Sequence, residues 1–149
     1  MNKFSLSEDI KVMCVTANRF PEGIEEAQQQ LYKHFPQKDN RRFFGISKPN
    51  EKGEIIFKAA AEELIDGETA AYGLESFSIK KGVYNTFYLK NHRHDTDSIR
   101  ESFHILLGQV EIDPHGYCIE WYIGLNDVKC MVPIDEGALH FTGANTAKI

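Results

Sequence analysis

The chain contains no apolar run approaching the roughly 20 residues that a membrane-spanning helix requires. Its first residues, Met-Asn-Lys-Phe-Ser-Leu-Ser, lack a signal-peptide core. A soluble, cytoplasmic protein without membrane contact is therefore expected. Cysteine is scarce: three residues, an odd count with no metal-ligand spacing, predict reduced side chains buried in strands. Cys14, Cys118 and Cys130 would meet only if their strands are neighbours, and no cationic residue stands at a spacing that would make a thiolate of any of them. Basic residues are in the minority, 17 against 22 acidic ones, for a net charge of −5. That balance argues against direct nucleic-acid binding, which needs clustered Lys and Arg to neutralise phosphates. The pairs Arg41-Arg42 and Lys80-Lys81 border strand-like runs and read as edge charges. The chain has neither a glycine-rich phosphate loop nor a serine-nucleophile elbow, and no cofactor is expected.

What is present suits one compact domain: 149 residues, 42% of them hydrophobic and 26% charged, leave room for a sizeable core. Residues 10–16 form a first strand-like run. Phe20-Pro21-Glu22-Gly23 breaks it, and Ile24, Ala27, Leu31 and Phe35 then recur at helical spacing until Pro36. Residues 42–47 and 55–61 read as strands, although the alanines of the second would also allow a helix. Residues 66–72 are a polar connector. Residues 74–89 hold two strand-like segments around Lys80-Lys81-Gly82, or one long strand bulged at Gly82. A helix carrying the stripe Ile99, Phe103, Leu106, Leu107 and Val110 follows, with capping candidates at 95–98 and a capping box in Ser98 and Glu101. Asp113-Pro114-His115-Gly116 ends it.

Residues 117–135 complete the pattern as a β-hairpin about Gly124-Leu125-Asn126-Asp127. One residue does not fit. Glu120 lies among Cys118, Ile119, Trp121, Tyr122 and Ile123, where an unpartnered carboxylate is costly to bury. Strand alternation gives Cys118, Glu120 and Tyr122 one face and Ile119, Trp121 and Ile123 the other, the natural core face. Glu120 then faces either open solvent or a pocket. Written out, the element order is one βαββ unit used twice, about residues 9–64 and 72–135. Residues 136–149 form a weakly ordered tail. This predicts an α+β fold: a mostly antiparallel sheet with both helices on one face and a ligand cleft on a pseudo-two-fold axis.

The second half resembles the GyrI-like small-molecule-binding domain, the effector module of multidrug-sensing bacterial transcription activators. The resemblance is carried by residues 78–84, by the helix led by Ile99, and by Cys118-Ile119-Glu120-Trp121-Tyr122 closing on Val132-Pro133-Ile134. Its short motifs are Gly82/Tyr84, Glu120/Tyr122 and Val132/Pro133; Arg42-Phe43-Phe44-Gly45-Ile46 extends it to the first half. The larger activators also carry a helix-turn-helix, for which this chain has no room. The resemblance implies a pocket with Glu120 facing the ligand and Tyr84, Tyr88, Tyr122 and Phe44 as aromatic walls. Trp121 joins them if the hairpin has the opposite parity. A carboxylate with ring faces suits a small cationic or amphipathic organic ligand.

Other candidates are weaker. His92-Arg93-His94-Asp95 invites a metal reading, but Thr96 stands where a further acid is needed, and the stretch reads as a loop with helix-capping acids and no metal. His104 sits one position off the apolar stripe. The expected function is a stand-alone small-molecule-binding protein related to transcription regulation. One alternative is a small hydrolase of reactive electrophiles in which Glu120 is the catalytic group. Another is a protein-interaction module using the face around Trp121. A homodimer or a regulatory protein partner is compatible with each.

Overall fold

The computed structural model describes residues 1–36 and 39–136. Eight strands and three helices follow in the order β1 Asn2–Leu6, β2 Ile10–Thr16, α1 Ile24–Tyr32, β3 Phe43–Pro49, β4 Ile55–Glu62, α2 Glu68–Ala71, β5 Glu75–Ile79, β6 Gly82–Leu89, α3 Thr96–Leu107, β7 Cys118–Ile123 and β8 Asp127–Pro133. The strands make one sheet, ordered β1-β6-β8-β7-β3-β4-β2-β5. Every pairing is antiparallel. This is the expected α+β class.

Two short connections dictate the shape of the sheet. Lys80-Lys81 alone joins β5 to β6, which stand six places apart in the strand order. In a flat sheet that separation would be about 29 Å at ~4.8 Å per strand. Two residues span at most about 11 Å. Ser7-Glu8-Asp9 makes the equivalent link from β1 to β2. The sheet must therefore curl until its edges approach. Its inner face is one packed core of Val12, Cys14, Phe44, Ile46, Ala60, Ile79, Tyr84, Ile119 and Met131, with Phe4, Leu6 and Phe77 from the edge strands packed against it.

Both long helices pack on the outer face. α1 sets Ala27 and Leu31 on Met13, Phe57, Ala59 and Ala61, covering β2 and β4. The alanines that left β4 ambiguous in the sequence are what allow α1 to lie close. α3 sets Ile99 and Leu106 on Val128, Cys130 and Val132, covering β8 and β6. Burying a leucine as completely as Leu31 or Leu106 contributes about 2–3 kcal/mol. The central strands β3 and β7 run beneath the groove between the two helices.

Several expectations need correction. The opening residues form an edge strand, β1, whose short Phe4-Ser5-Leu6 alternation was not read as one. The 66–72 connector contains the one-turn helix α2. Residues 74–89 are two strands rather than one bulged strand. Leu107 is exposed and Val110 lies beyond the end of α3, fully in solvent, so the α3 stripe is shorter than its sequence suggests. α3 is capped by Asp95, whose carboxylate accepts from Ser98 N at 3.0 Å, in place of the Ser98–Glu101 box. The tail expected over 136–149 lies, from residue 137, outside the described residues.

A carboxylate at the floor of the inter-helix groove

β7 alternates as its sequence implies. Ile119 and Trp121 join the inner core, whereas Cys118 and Tyr122 pack with the outer cluster under α3. Glu120 shares their parity and stands on the central strand pair, opposite Gly45 of β3 and Cys130 of β8. The Tyr122 hydroxyl donates to Glu120 Oε1 at 3.0 Å. Among the described residues no Lys, Arg or His forms an ion pair with this carboxylate. Solvent reaches part of the side chain, yet protein surrounds the acid group. That burial pushes its pKa up to about 7, and the Tyr122 hydrogen bond offsets only part of the rise.

Gly45 makes this arrangement possible. A Cβ at that position would stand 2.6 Å from Tyr122 Oη and 2.8 Å from Phe57 Cε2, inside any normal contact distance. Its missing side chain is the space into which the tyrosine hydroxyl leans to reach Glu120. Burial drives the Tyr122 phenol well above its usual range, and the facing Glu120 charge adds to the effect. Tyr122 is therefore a hydrogen-bond donor throughout the physiological range.

One side of the site is closed by residues from three elements. Tyr32, the last residue of α1, meets Phe43 edge-on with ring centroids 5.3 Å apart. Arg93, from the loop before α3, places its guanidinium 4.7 Å from the centre of the Tyr122 ring, with its charge near the Tyr32 phenol. Its Nη1 donates to Gly124 O at 2.7 Å, and its backbone N to Asn126 O at 2.9 Å, tying the loop to the β7–β8 turn. Burial raises the Tyr32 phenol, and the nearby Arg93 charge counteracts this.

The sheet divides the expected site residues. Glu120 and Tyr122 lie together on the outer face. Phe44 and Tyr84 are buried in the inner core, where the Tyr84 hydroxyl donates to Lys80 O. Trp121 is also on the inner side, 5.8 Å from Phe44 and 5.9 Å from Phe4 between ring centroids. Tyr88 is exposed and donates to Asp127 Oδ2 at 2.5 Å. These four rings do not wall the Glu120 groove, because side-chain alternation sends them through the other side of the sheet. The rings beside Glu120 are Tyr122, Tyr32, Phe43 and Phe57. Tyr32 directly follows Leu31 of the helical stripe, so its position was readable. Arg93 lies between His92 and His94, in a stretch whose sequence reads only as a solvated loop with helix-capping acids.

Burial pushes the thiols of Cys118 and Cys130 up to about 11 and about 12, and that of Cys14 to about 12. All three are protonated at neutral pH, which removes a thiolate mechanism. No cluster of metal-ligating side chains occurs among the described residues. His92 and His94 sit in the loop that Asp95 ends, and His104 is exposed. A depression of about 730 Å³ lies elsewhere, on the inner side near the β5–β6 connection, lined by Phe77, Ile79, Tyr84, Tyr117, Ile119 and Pro133. Glu120 does not line it. On its polar rim Lys80 pairs with Asp9 at 3.8 Å, and Asp113 accepts from His115 N at 2.9 Å. The groove, with its unneutralised carboxylate, has the more distinctive chemistry.

No protein-family model matches the chain, and no curated protein does. Solved structures do. SAV2435, solved bound to tetraphenylphosphonium, superposes with a TM-score of 0.66 over 89% of this chain and 92% of its own, at 12% identity. A candidate transcription regulation protein from Staphylococcus aureus gives 0.60 over 89% and 96%, at 11% identity. A hydrolase from Listeria innocua gives 0.55 over 89% and 90%, at 8% identity. Identities this low speak for the fold alone. The architecture they share with this chain is the GyrI-like fold.

Proposed function

We propose that the protein binds a small organic cation in the groove between α1 and α3, with Glu120 as the counter-charge. The observation that carries this reading is the Glu120 carboxylate itself. Protein surrounds the acid group, and among the described residues no cation forms an ion pair with it. A lipophilic cation would restore the balance, and the faces of Tyr122, Tyr32 and Phe43 offer it about 0.5–2 kcal/mol per favourable ring contact. The tetraphenylphosphonium-bound neighbour, with the same fold, adds support for a ligand of this class. So does the strand order. Exchanging β1 with β5, β2 with β6, β3 with β7 and β4 with β8 reproduces it in reverse, as a two-fold axis requires, which we read as a duplicated unit within a single domain. The Glu120–Gly45 pair then stands beside its approximate two-fold axis.

The test is calorimetric titration of tetraphenylphosphonium into wild type and Glu120→Gln at pH 8. The charge should be worth on the order of 1–3 kcal/mol, roughly 5- to 150-fold in affinity. Equal affinities would remove Glu120 from the site. A second reading rests on the same pKa. A carboxyl titrating near 7 beside a phenol is suited to general acid–base catalysis, and the Listeria innocua hydrolase shares the fold. Multiple turnovers on labile esters or strained electrophiles, lost in Glu120→Gln, would select hydrolysis over capture.

A further inference from the structure

Arg93 is a cation held on the ring of Tyr122, the residue whose hydroxyl bonds Glu120, and it makes no ion pair with that carboxylate. Arg41, Arg42 and Arg100 each have a carboxylate oxygen within 3.0 Å, whereas Arg93, like Arg19, appears in none of the ion pairs among the described residues. Its guanidinium instead rests on the Tyr122 ring and donates to the Gly124 carbonyl, with the Tyr32 phenol nearby. Tyr122 is also the ring that hydrogen-bonds Glu120. One face of a ring accommodates one cation, because a second would meet the first at a distance where like charges repel strongly in a poorly hydrated groove.

We propose that Arg93 is a built-in occupant of the cation site, a gate whose guanidinium holds the Tyr32–Tyr122 corner until a ligand cation displaces it. This rests on the Glu120 groove being the binding site, as proposed above. The anchors suit a movable side chain. They are one carbonyl and one ring face, both replaceable by water, and the flanking residues 91, 92, 94 and 95 are exposed, leaving space to swing outward. The main chain of the loop would stay in place through Arg93 N to Asn126 O. The gate also confers selectivity. A cation must bring enough apolar surface to make up for the contacts that Arg93 gives up, so bulky lipophilic cations are favoured over small hydrated ones such as ammonium.

The test uses the full chain with tetraphenylphosphonium and tetramethylammonium as probes. Arg93→Met keeps the apolar stem and removes the charge. It should bind tetraphenylphosphonium about tenfold more tightly than wild type and gain measurable affinity for tetramethylammonium. Unchanged or weaker binding would overturn the gate while leaving the Glu120 reading intact. If neither protein binds either probe, the reading and the gate fall together. A second measurement needs no variant. In wild type, NMR signals of the Arg93 side chain should lose their ring-current shift as tetraphenylphosphonium saturates the protein. Ring-shifted Arg93 signals that persist at saturation would equally refute displacement.

Discussion

Glu68 and Glu120 are the same side chain driven in opposite directions by their surroundings. Glu68, at the start of α2, meets Arg41 through two oxygens at 2.9 and 3.3 Å, and its Oε1 also accepts from Leu64 N and Ile65 N. The Arg41 hydrogen bonds lead in holding its pKa down to about 2. Glu120 has a single tyrosine hydroxyl, and burial lifts it to about 7. The first acid is fully compensated and ties the 63–67 connector to the β3 entry. The second lacks that compensation, which is the usual condition of a group kept for binding or chemistry.

The comparison breaks most violently at Arg41. The Arg41 and Glu68 side chains are only 5% and 10% exposed, and Arg41 also stacks on Phe35 and donates to Glu62 O. Arg41→Ala should strand the Glu68 charge and cost about 3 kcal/mol, at the lower end for a buried pair. Urea unfolding at pH 7 measures it. The same experiment in acid sharpens the point. Glu68 has a depressed pKa, so its contribution is complete above about 4.5 and fades as pH falls toward 2. The gap between wild type and variant should close over that window.

Glu120→Gln should behave in the opposite sense. A raised pKa means that the folded state holds the proton more tightly than the unfolded chain, so ionising Glu120 destabilises the fold as pH rises from about 4.5 through about 7. A shift of that size corresponds to at most roughly 3 kcal/mol, and partial solvent access reduces it to about 2 kcal/mol. The glutamine variant should therefore be more stable than wild type at pH 8 and no different at pH 4.5. Equal unfolding midpoints at both pH values would mean that Glu120 is hydrated like a surface acid.

How much of this was legible in the sequence follows from what strands encode. Alternation located Glu120 and Tyr122 on one face and Ile119 and Trp121 on the other. The helical stripe found α1, and the element order led to the antiparallel sheet. The rings expected as walls do not all share the Glu120 face, because composition does not say which side of a curled sheet a ring on another strand occupies. Phe44 and Tyr84 have the right chemistry but the inner parity. β1 was missed because its signal is two apolar residues, too short to separate from chance, and it is fixed only by pairing with β6, some 80 residues away. Arg93 was invisible for a related reason: a loop side chain finds its ring only after the β7–β8 turn supplies the carbonyl that orients it.

The smallest expected effect isolates the one side-chain hydrogen bond that Glu120 has among the described residues. Tyr122→Phe keeps the ring under Arg93 and the packing against α3, and removes only the hydroxyl that donates to Oε1. The stability change should be within about 1 kcal/mol, because a single hydrogen bond to a partly hydrated acid contributes little net. The informative readout is titration. That hydroxyl is the interaction lowering the Glu120 pKa, so without it the carboxyl should titrate above its wild-type value of about 7. Carbon-13 NMR of the Glu120 carboxyl in wild type and variant measures this directly. Cation binding should follow: weaker than wild type at pH 7, where fewer molecules carry the charge, and largely restored at pH 9. An unmoved titration would mean that the hydroxyl only fills the space left by Gly45 and that burial alone sets the charge of the groove.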